Sequence, residues 1–422
     1  MNPAWSSASA LSGLGRRTED PPITWLMHMA LARPGLVSLA AGFTDNDTLP
    51  VREVARLINR MSKTRAGRAA LQYGTTQGDP ELRDRTARRL AAADRVACDP
   101  ARLLITSGSQ QLLYLALEAL CDPGDLVLVE DPTYFVFLGI LQSRAIRARG
   151  IRLDPDGINL AHLESVLDQL KRRGELPRLK ALYLVSYFQN PTGTTTAFEK
   201  KAGALKLLRR YERAAGHPIY LIEDAAYREL RFHGGDVRSA LAAPGGRDRV
   251  LYAGTYSKPF ATGARVGFGL LPGPLFQAAL RIKGNHDFGT SNLLQRLLAG
   301  AIGSGDYDRH LGVLRSRYAR KARVMQAALK AHVPAAVGWR EPNGGLYIWA
   351  TLPPGVSAGA RSRVFQKSLK RGVLYVPGEL CFAPDRARPI SRNGLRLSFG
   401  GAPEADIRKG IERLGSVLSG AR

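Results

Sequence analysis

Between residues 99 and 272, short apolar runs alternate with turn residues and stretches of helical periodicity. The apolar runs fall at 103–106, 126–129, 181–185, 219–222, 250–253 and 266–271. Each is nearly continuous in apolar residues, not alternating, which is the pattern of strands buried on both faces of a mostly parallel sheet. Helical periodicity at 109–120, 160–172 and 197–215 completes a strand–helix–strand rhythm and predicts an α/β domain. After about Gly300 the texture changes. A long helical pattern at 306–331 precedes strand candidates at 347–351 and 395–399, and a helix at 403–418 closes the chain. This reads as a smaller α+β domain. The first twenty or so residues, rich in Ser, Ala and Gly, read as a flexible arm. The Gly-rich stretch 234–248 reads as surface punctuation within the large domain. Expected boundaries are an arm and part of the small domain at 1–45, a large domain at 46–300 and a small domain at 301–422.

Composition narrows the class. The chain has 422 residues, 45% of them apolar and 23% charged, which are globular proportions. No run of about 18 apolar residues occurs, so no membrane-spanning helix is expected. The first residues lack a basic segment followed by a sustained apolar core, so no secretory signal is expected either. Three cysteines without a CxxC pair, Cys98, Cys121 and Cys381, argue against a disulfide framework or a metal site and fit a reducing cytoplasm. The formal charge of +25 raises nucleic acid as a partner. The basic residues are spread along the chain, however, and the short clusters at 85–89 and 171–173 read as solvated helix faces. The charge is better placed to steer anionic small molecules.

In open parallel sheets ligands bind beyond the carboxyl ends of the strands. After the first strand candidate come Gly108, Ser109 and Gln110, a turn that opens a helix and suits an anion. After the second comes Tyr134, an aromatic plate. The third leads to Asn190, the fourth to Asp224 and Tyr227, and the fifth to Thr255, Ser257 and Lys258. Every one of these types has a place in pyridoxal 5′-phosphate chemistry. The 108–110 turn, Thr255, Ser257 and Arg265 suit the phosphate. Tyr134 can stack on the pyridine ring. Asp224 can keep the ring nitrogen protonated, and Tyr227 and Asn190 can donate to the ring phenolate. Lys258 can form the Schiff base and then shuttle a proton. Taken singly, each has a plainer explanation: a surface lysine, a simple turn, a helix cap or packing tyrosines.

The same residues carry a family resemblance. GTYSKPFATGARVGF (254–268) resembles the lysine signature of the class I and II aminotransferases of fold type I, in the branch of kynurenine and 2-aminoadipate aminotransferases. QNPTG (189–193), EDAAY (223–227), TSGSQQ (106–111), DPTYF (131–135) and LQYGTTQGDPELR (71–83) are similar to that branch as well. So are PNGGLYIW (342–349), VPGELCF (376–382) and GLRLSF (394–399). The resemblance implies a homodimer in which Tyr73 reaches the neighbour's phosphate. It also implies a substrate site in which Arg396 grips the α-carboxylate, beside Asn190 and Gly42. AAGFTDNDTLP (40–50) follows the family's Gly-Gly-Leu-Pro segment only loosely.

The expected function is amino-group transfer from an L-amino acid to a 2-oxo acid through Lys258, with Asp224 and Tyr134 as further catalytic residues. The same fold also supports elimination, replacement or cyclisation on an amino acid. A third possibility is a non-catalytic regulator, since some transcription factors resemble this family in their C-terminal part. The residues leave the substrate side chain open.

Overall fold

The computed structural model describes residues 10–385 and 388–420. The part of the expected arm at residues 1–9 lies outside the described residues. An eight-stranded sheet forms the centre. Its spatial order is Leu103–Thr106, Gly267–Leu270, Val250–Thr255, Tyr220–Asp224, Leu179–Val185, Leu126–Asp131, Arg147–Asp154 and Gly157–Ile158. The run from Val250–Thr255 to Arg147–Asp154 is parallel. Gly267–Leu270 is antiparallel to both of its neighbours. The strands Leu103–Thr106, Leu126–Asp131 and Val250–Thr255, which contain the apolar runs at 103–106, 126–129 and 250–253, are buried along their whole length, because helices cover both faces of the sheet.

Local signals set the helix ends. Asp79 and Asn159 cap Pro80–Asp94 and Leu160–Arg172 by accepting from the N–H groups of Leu82 and His162, at 3.0 and 2.7 Å. Gly216, at φ 77°, ends Phe198–Ala215 in the left-handed conformation that suits glycine.

The smaller α+β domain holds an antiparallel sheet in the order Gly338–Trp339, Tyr347–Thr351, Gly394–Ser398 and Val376–Pro377. A short parallel pair, Val37–Ser38 with Val373–Leu374, ties an early segment to it. The 27-residue helix Asp306–His332 runs beside the closing helix Glu404–Ser419.

The sheet itself is mostly parallel as expected, with antiparallel pairings at Gly267–Leu270 and at Gly157–Ile158. Several expectations need correction. The expected flexible arm holds a helix, Gly13–Arg17, which docks on Phe135–Ser143. There Arg17 Nε donates to the Ser143 carbonyl at 2.7 Å and Gln142 Nε2 to the Arg17 carbonyl at 2.6 Å. The stretch 234–248 is not pure surface, since Ser239 and Ala240 are fully buried within it. Arg89, read as part of a solvated face, pairs with Glu229 and Asp308 at 2.7 and 2.8 Å and lies over the Tyr307 ring.

Candidate active site

Four strand ends converge on one cavity of about 120 Å³. Ser109 and Gln110 reach it from the helix after Leu103–Thr106, and Asn190 from the turn after Leu179–Val185. Asp224 reaches it as the last residue of its strand, and Thr255, Ser257 and Lys258 from the end of Val250–Thr255. Tyr134, Tyr227 and Arg265 complete the wall.

The end of the cavity at Gly108 is built from backbone. Gly108, at φ 81°, precedes the helix Ser109–Leu120, and no side chain caps the free N–H groups of its first turn. Gly267 lies directly beneath. A Cβ there would stand 2.4 Å from the Ser109 nitrogen, so only glycine lets the strand pass under the turn. A Cβ at Gly108 would meet Arg265 Nη2 at 2.7 Å. Arg265 itself donates to Ser257 Oγ at 3.4 Å. The Thr255 hydroxyl accepts from the Ser257 N–H at 3.0 Å, which shapes the turn that carries Lys258.

At the far end Asp224 is buried. It accepts from the Tyr183 hydroxyl at 2.8 Å and the Ala226 N–H at 3.0 Å. Burial pushes its carboxyl up to about 6, against the pull of those two hydrogen bonds. Burial, and then Arg265 and Arg396, hold the Lys258 amine down to about 8. The amine donates to the Gly42 carbonyl at 2.8 Å. Burial also raises the Tyr134 and Tyr227 phenols above their usual range, so both stay protonated donors.

Arg396 lies on the strand Gly394–Ser398 and is 2% exposed. Its guanidinium donates to Asn190 Oδ1 at 2.7 Å and to the Ala40 carbonyl at 2.6 Å, and sits 4.3 Å from the centre of the Tyr347 ring. Among the described residues no carboxylate pairs with Lys258, Arg265 or Arg396. A buried cation without a counter-ion is costly unless a ligand supplies one. Arg396 is buried, Lys258 half-buried and Arg265 exposed, and the single carboxylate of Asp224 stands against them, so the site calls for anions. Together with the glycine-shaped turn and the free amine, this donor set fits pyridoxal 5′-phosphate and a substrate carboxylate.

Tyr73 stands apart from this cavity. It is 83% exposed and packs edge-on against Phe288, with ring centres 5.5 Å apart. Several contributors escaped the sequence reading. Tyr183 holds Asp224. The Tyr347 hydroxyl meets the Tyr227 hydroxyl at 2.9 Å. Glu130 braces Gln189 Nε2 at 2.8 Å and so fixes the turn before Asn190, while burial raises its own carboxyl to about 8. The available signal was a polar tip within the apolar stretch 181–185, at Tyr183 in ALYLV. A larger cavity of about 430 Å³ lies behind Ala225 and Ala226. Its Arg89, Arg228 and Arg231 are paired with Glu229, Asp94 and Asp236, and its Arg315 donates to the Glu229 carbonyl at 2.8 Å.

Comparison with known proteins gives the following. The family model described as aminotransferase class I and II matches residues 34–414. The 2-aminoadipate transaminase of Thermus thermophilus is 33% identical over 419 residues, covering 99% of this chain and 98% of the relative. The aromatic-amino-acid aminotransferase 1 of Thermococcus litoralis is 33% identical over 384 residues, covering 91% and 88%. The solved kynurenine aminotransferase of Pyrococcus horikoshii superposes with a TM-score of 0.89 at 30% identity, over 98% of both chains.

Proposed function

The chain belongs to the class I and II aminotransferases, and from that premise we propose that Lys258 carries the cofactor and that the residues around it divide the work of amino-group transfer. The protein is a pyridoxal-phosphate-dependent aminotransferase of fold type I. When bound, the cofactor supplies an aldehyde that captures amines and a ring that takes up electrons from the substrate α-carbon. Asp224 keeps the proton on the ring nitrogen, and Tyr183 and the Ala226 N–H hold that carboxylate in place. Ser109, Gln110, Thr255, Ser257 and Arg265, with the turn at Gly108, bind the phosphate. Tyr134 would lie against the ring, and Tyr227 and Asn190 would donate to its phenolate oxygen. Arg396 binds the substrate carboxylate through its bidentate fork. Lys258, once released, moves a proton at the α-carbon. Gly42 lies within reach of that amine.

The observation that supports this reading is that Lys258 and Arg265, both without a carboxylate partner, line one cavity with a single buried carboxylate, Asp224, while a third such cation, Arg396, is hydrogen-bonded to its Asn190. The first test is an absorption spectrum of the purified protein before and after a panel of L-amino acids is added without an acceptor. A band from lysine-bound cofactor, absent in Lys258→Ala, and its conversion to the pyridoxamine form by one amino acid are expected. Release of ammonia in place of that conversion would point to elimination and overturn the transfer reaction.

We also propose a homodimer. Supporting it are large apolar side chains left exposed around the helices Val51–Ser62 and Arg65–Ala70: Val51 at 70%, Leu71 at 78% and Tyr73 at 83%. In that assembly Tyr73 reaches the partner's phosphate site. The division of the chain near residues 45 and 300 belongs to the same proposal, as does a cytoplasmic location, which suits three free thiols. No helix among the described residues is long and apolar enough to cross a membrane. Small amino and oxo acids are the partners, and the positive charge serves their capture in preference to nucleic acid.

A further inference from the structure

The strip from Leu39 to Asp45 crosses the active site with two carbonyls turned to its cations. The Ala40 oxygen accepts from Arg396 at 2.6 Å and the Gly42 oxygen from Lys258 at 2.8 Å. At its start the strip is held by backbone: the Leu39 N–H donates to the Leu374 carbonyl at 2.8 Å, and the Leu39 carbonyl accepts from the Ser398 N–H at 2.7 Å. At its end it is held by charge. The Asp45 carboxylate, 3% exposed, is ion-paired with the fully buried Lys321 of the helix Asp306–His332. Arg317 Nε reaches the other carboxylate oxygen at 3.1 Å, and the Asp45 N–H donates to the Tyr318 hydroxyl at 3.2 Å. Lys321 also donates to the Gly400 carbonyl at 2.9 Å, just past the strand that carries Arg396. One ammonium therefore joins the strip and the outgoing end of the Arg396 strand to a single helix.

We propose that Asp45 and Lys321 are positioning residues for the reaction: their ion pair sets the Ala40 and Gly42 carbonyls against Arg396 and Lys258, and so fixes the substrate carboxylate fork and the released amine. This rests on the aminotransferase reading of the site. A buried ion pair is a poor source of net stability compared with an apolar pair of the same size, so its placement here is better matched to geometry. Neither residue touches the cavity. The effect passes through backbone, which transmits a displacement because the strip is pinned at both ends.

The test uses the full-length holoenzyme with Asp45→Asn, Lys321→Met and the double variant. The double variant leaves no unpaired buried charge, so it keeps the question open if a single variant fails to fold. At wild-type cofactor content, each variant is expected to raise KM for the donor amino acid at least fivefold and to lower kcat at least fivefold. The double variant should cost no more than the worse single one, as two halves of one device do. A second readout needs no turnover: hydrogen exchange of the cofactor-free protein, in which peptides covering 39–47 should exchange at least tenfold faster than in wild type. A pair that is merely structural would lower the melting temperature yet leave kcat and KM within twofold of wild type, and that result overturns the proposal whatever the exchange shows. Should wild type convert no amino acid, the functional reading fails by itself; the exchange measurement still judges the clamp, and unchanged exchange at 39–47 overturns it.

Discussion

At the scale of single residues the site is a problem in charge placement. The Lys258 amine is held near 8 by burial and by two arginines, so in the cofactor-free protein it becomes nucleophilic well below the ordinary lysine range near 10.5. Labelling with an amine-directed reagent, read by mass spectrometry against pH, should show Lys258 reacting with a midpoint near 8, ahead of the surface lysines. A midpoint shared with them would contradict the environment described here. Asp224 runs the opposite way. Its carboxyl is raised from 3.8 to about 6, so the folded protein keeps a proton that the unfolded chain gives up. Stability contributed by this group is therefore present below about pH 4 and lost as the pH rises through 6. The loss is on the order of 3 kcal/mol for a shift of that size. Cofactor-free wild type should lose that much relative to Asp224→Asn between pH 4 and pH 7 in urea denaturation. Parallel pH profiles for the two proteins would refute the assignment. These residues were legible in sequence because each chemical type follows a buried strand. Tyr183, Tyr347 and Glu130 were not, because their roles depend on which neighbours the fold brings across the sheet.

At the scale of elements, burial was legible and direction was not. An apolar run covered on both faces looks the same whether its neighbours are parallel or antiparallel, so nothing in the run 266–271 set its direction apart from the other strands of a mostly parallel sheet. The link from Thr255 to Gly267 holds only the 3₁₀ turn Thr262–Ala264, too little for the helical crossover that a parallel pair needs. That shortness was the unused signal. Arg147–Asp154 was missed because it lies next to the outermost strand and carries exposed and half-exposed arginines. The antiparallel strand also has a local duty, since its Gly267 runs under the turn at Gly108 and Ser109. Gly267→Ala puts a methyl group against the Ser109 backbone nitrogen and should weaken cofactor binding at least tenfold in a fluorescence titration. Gly263→Ala, where an added Cβ meets nothing within 4 Å, serves as the control and should bind within twofold of wild type. Equal affinity in the two variants would remove the turn from the phosphate site.

At the scale of the whole molecule the exposed apolar residues around Leu71, Tyr73 and Phe288 form a surface that a lone subunit leaves in water. Light scattering should give the mass of two chains. Leu71→Glu should halve that mass and lower cofactor affinity, because Tyr73 then lacks a partner; a wild-type protein of single-chain mass would refute the dimer. That a large α/β domain is followed by a smaller α+β domain was readable from the change of texture along the chain. The thread that returns from residue 37 to residue 373 was not, since two-residue strands leave no periodic trace. That thread has a consequence for synthesis. A ribosome delivers the Lys258 side of the cavity long before Val373–Leu374, the segment on which Val37–Ser38 pairs and from which the Ala40 and Gly42 carbonyls take their place. A nascent chain stalled before Val373 therefore carries Lys258 but lacks both Arg396 and the strand on which Val37–Ser38 pairs.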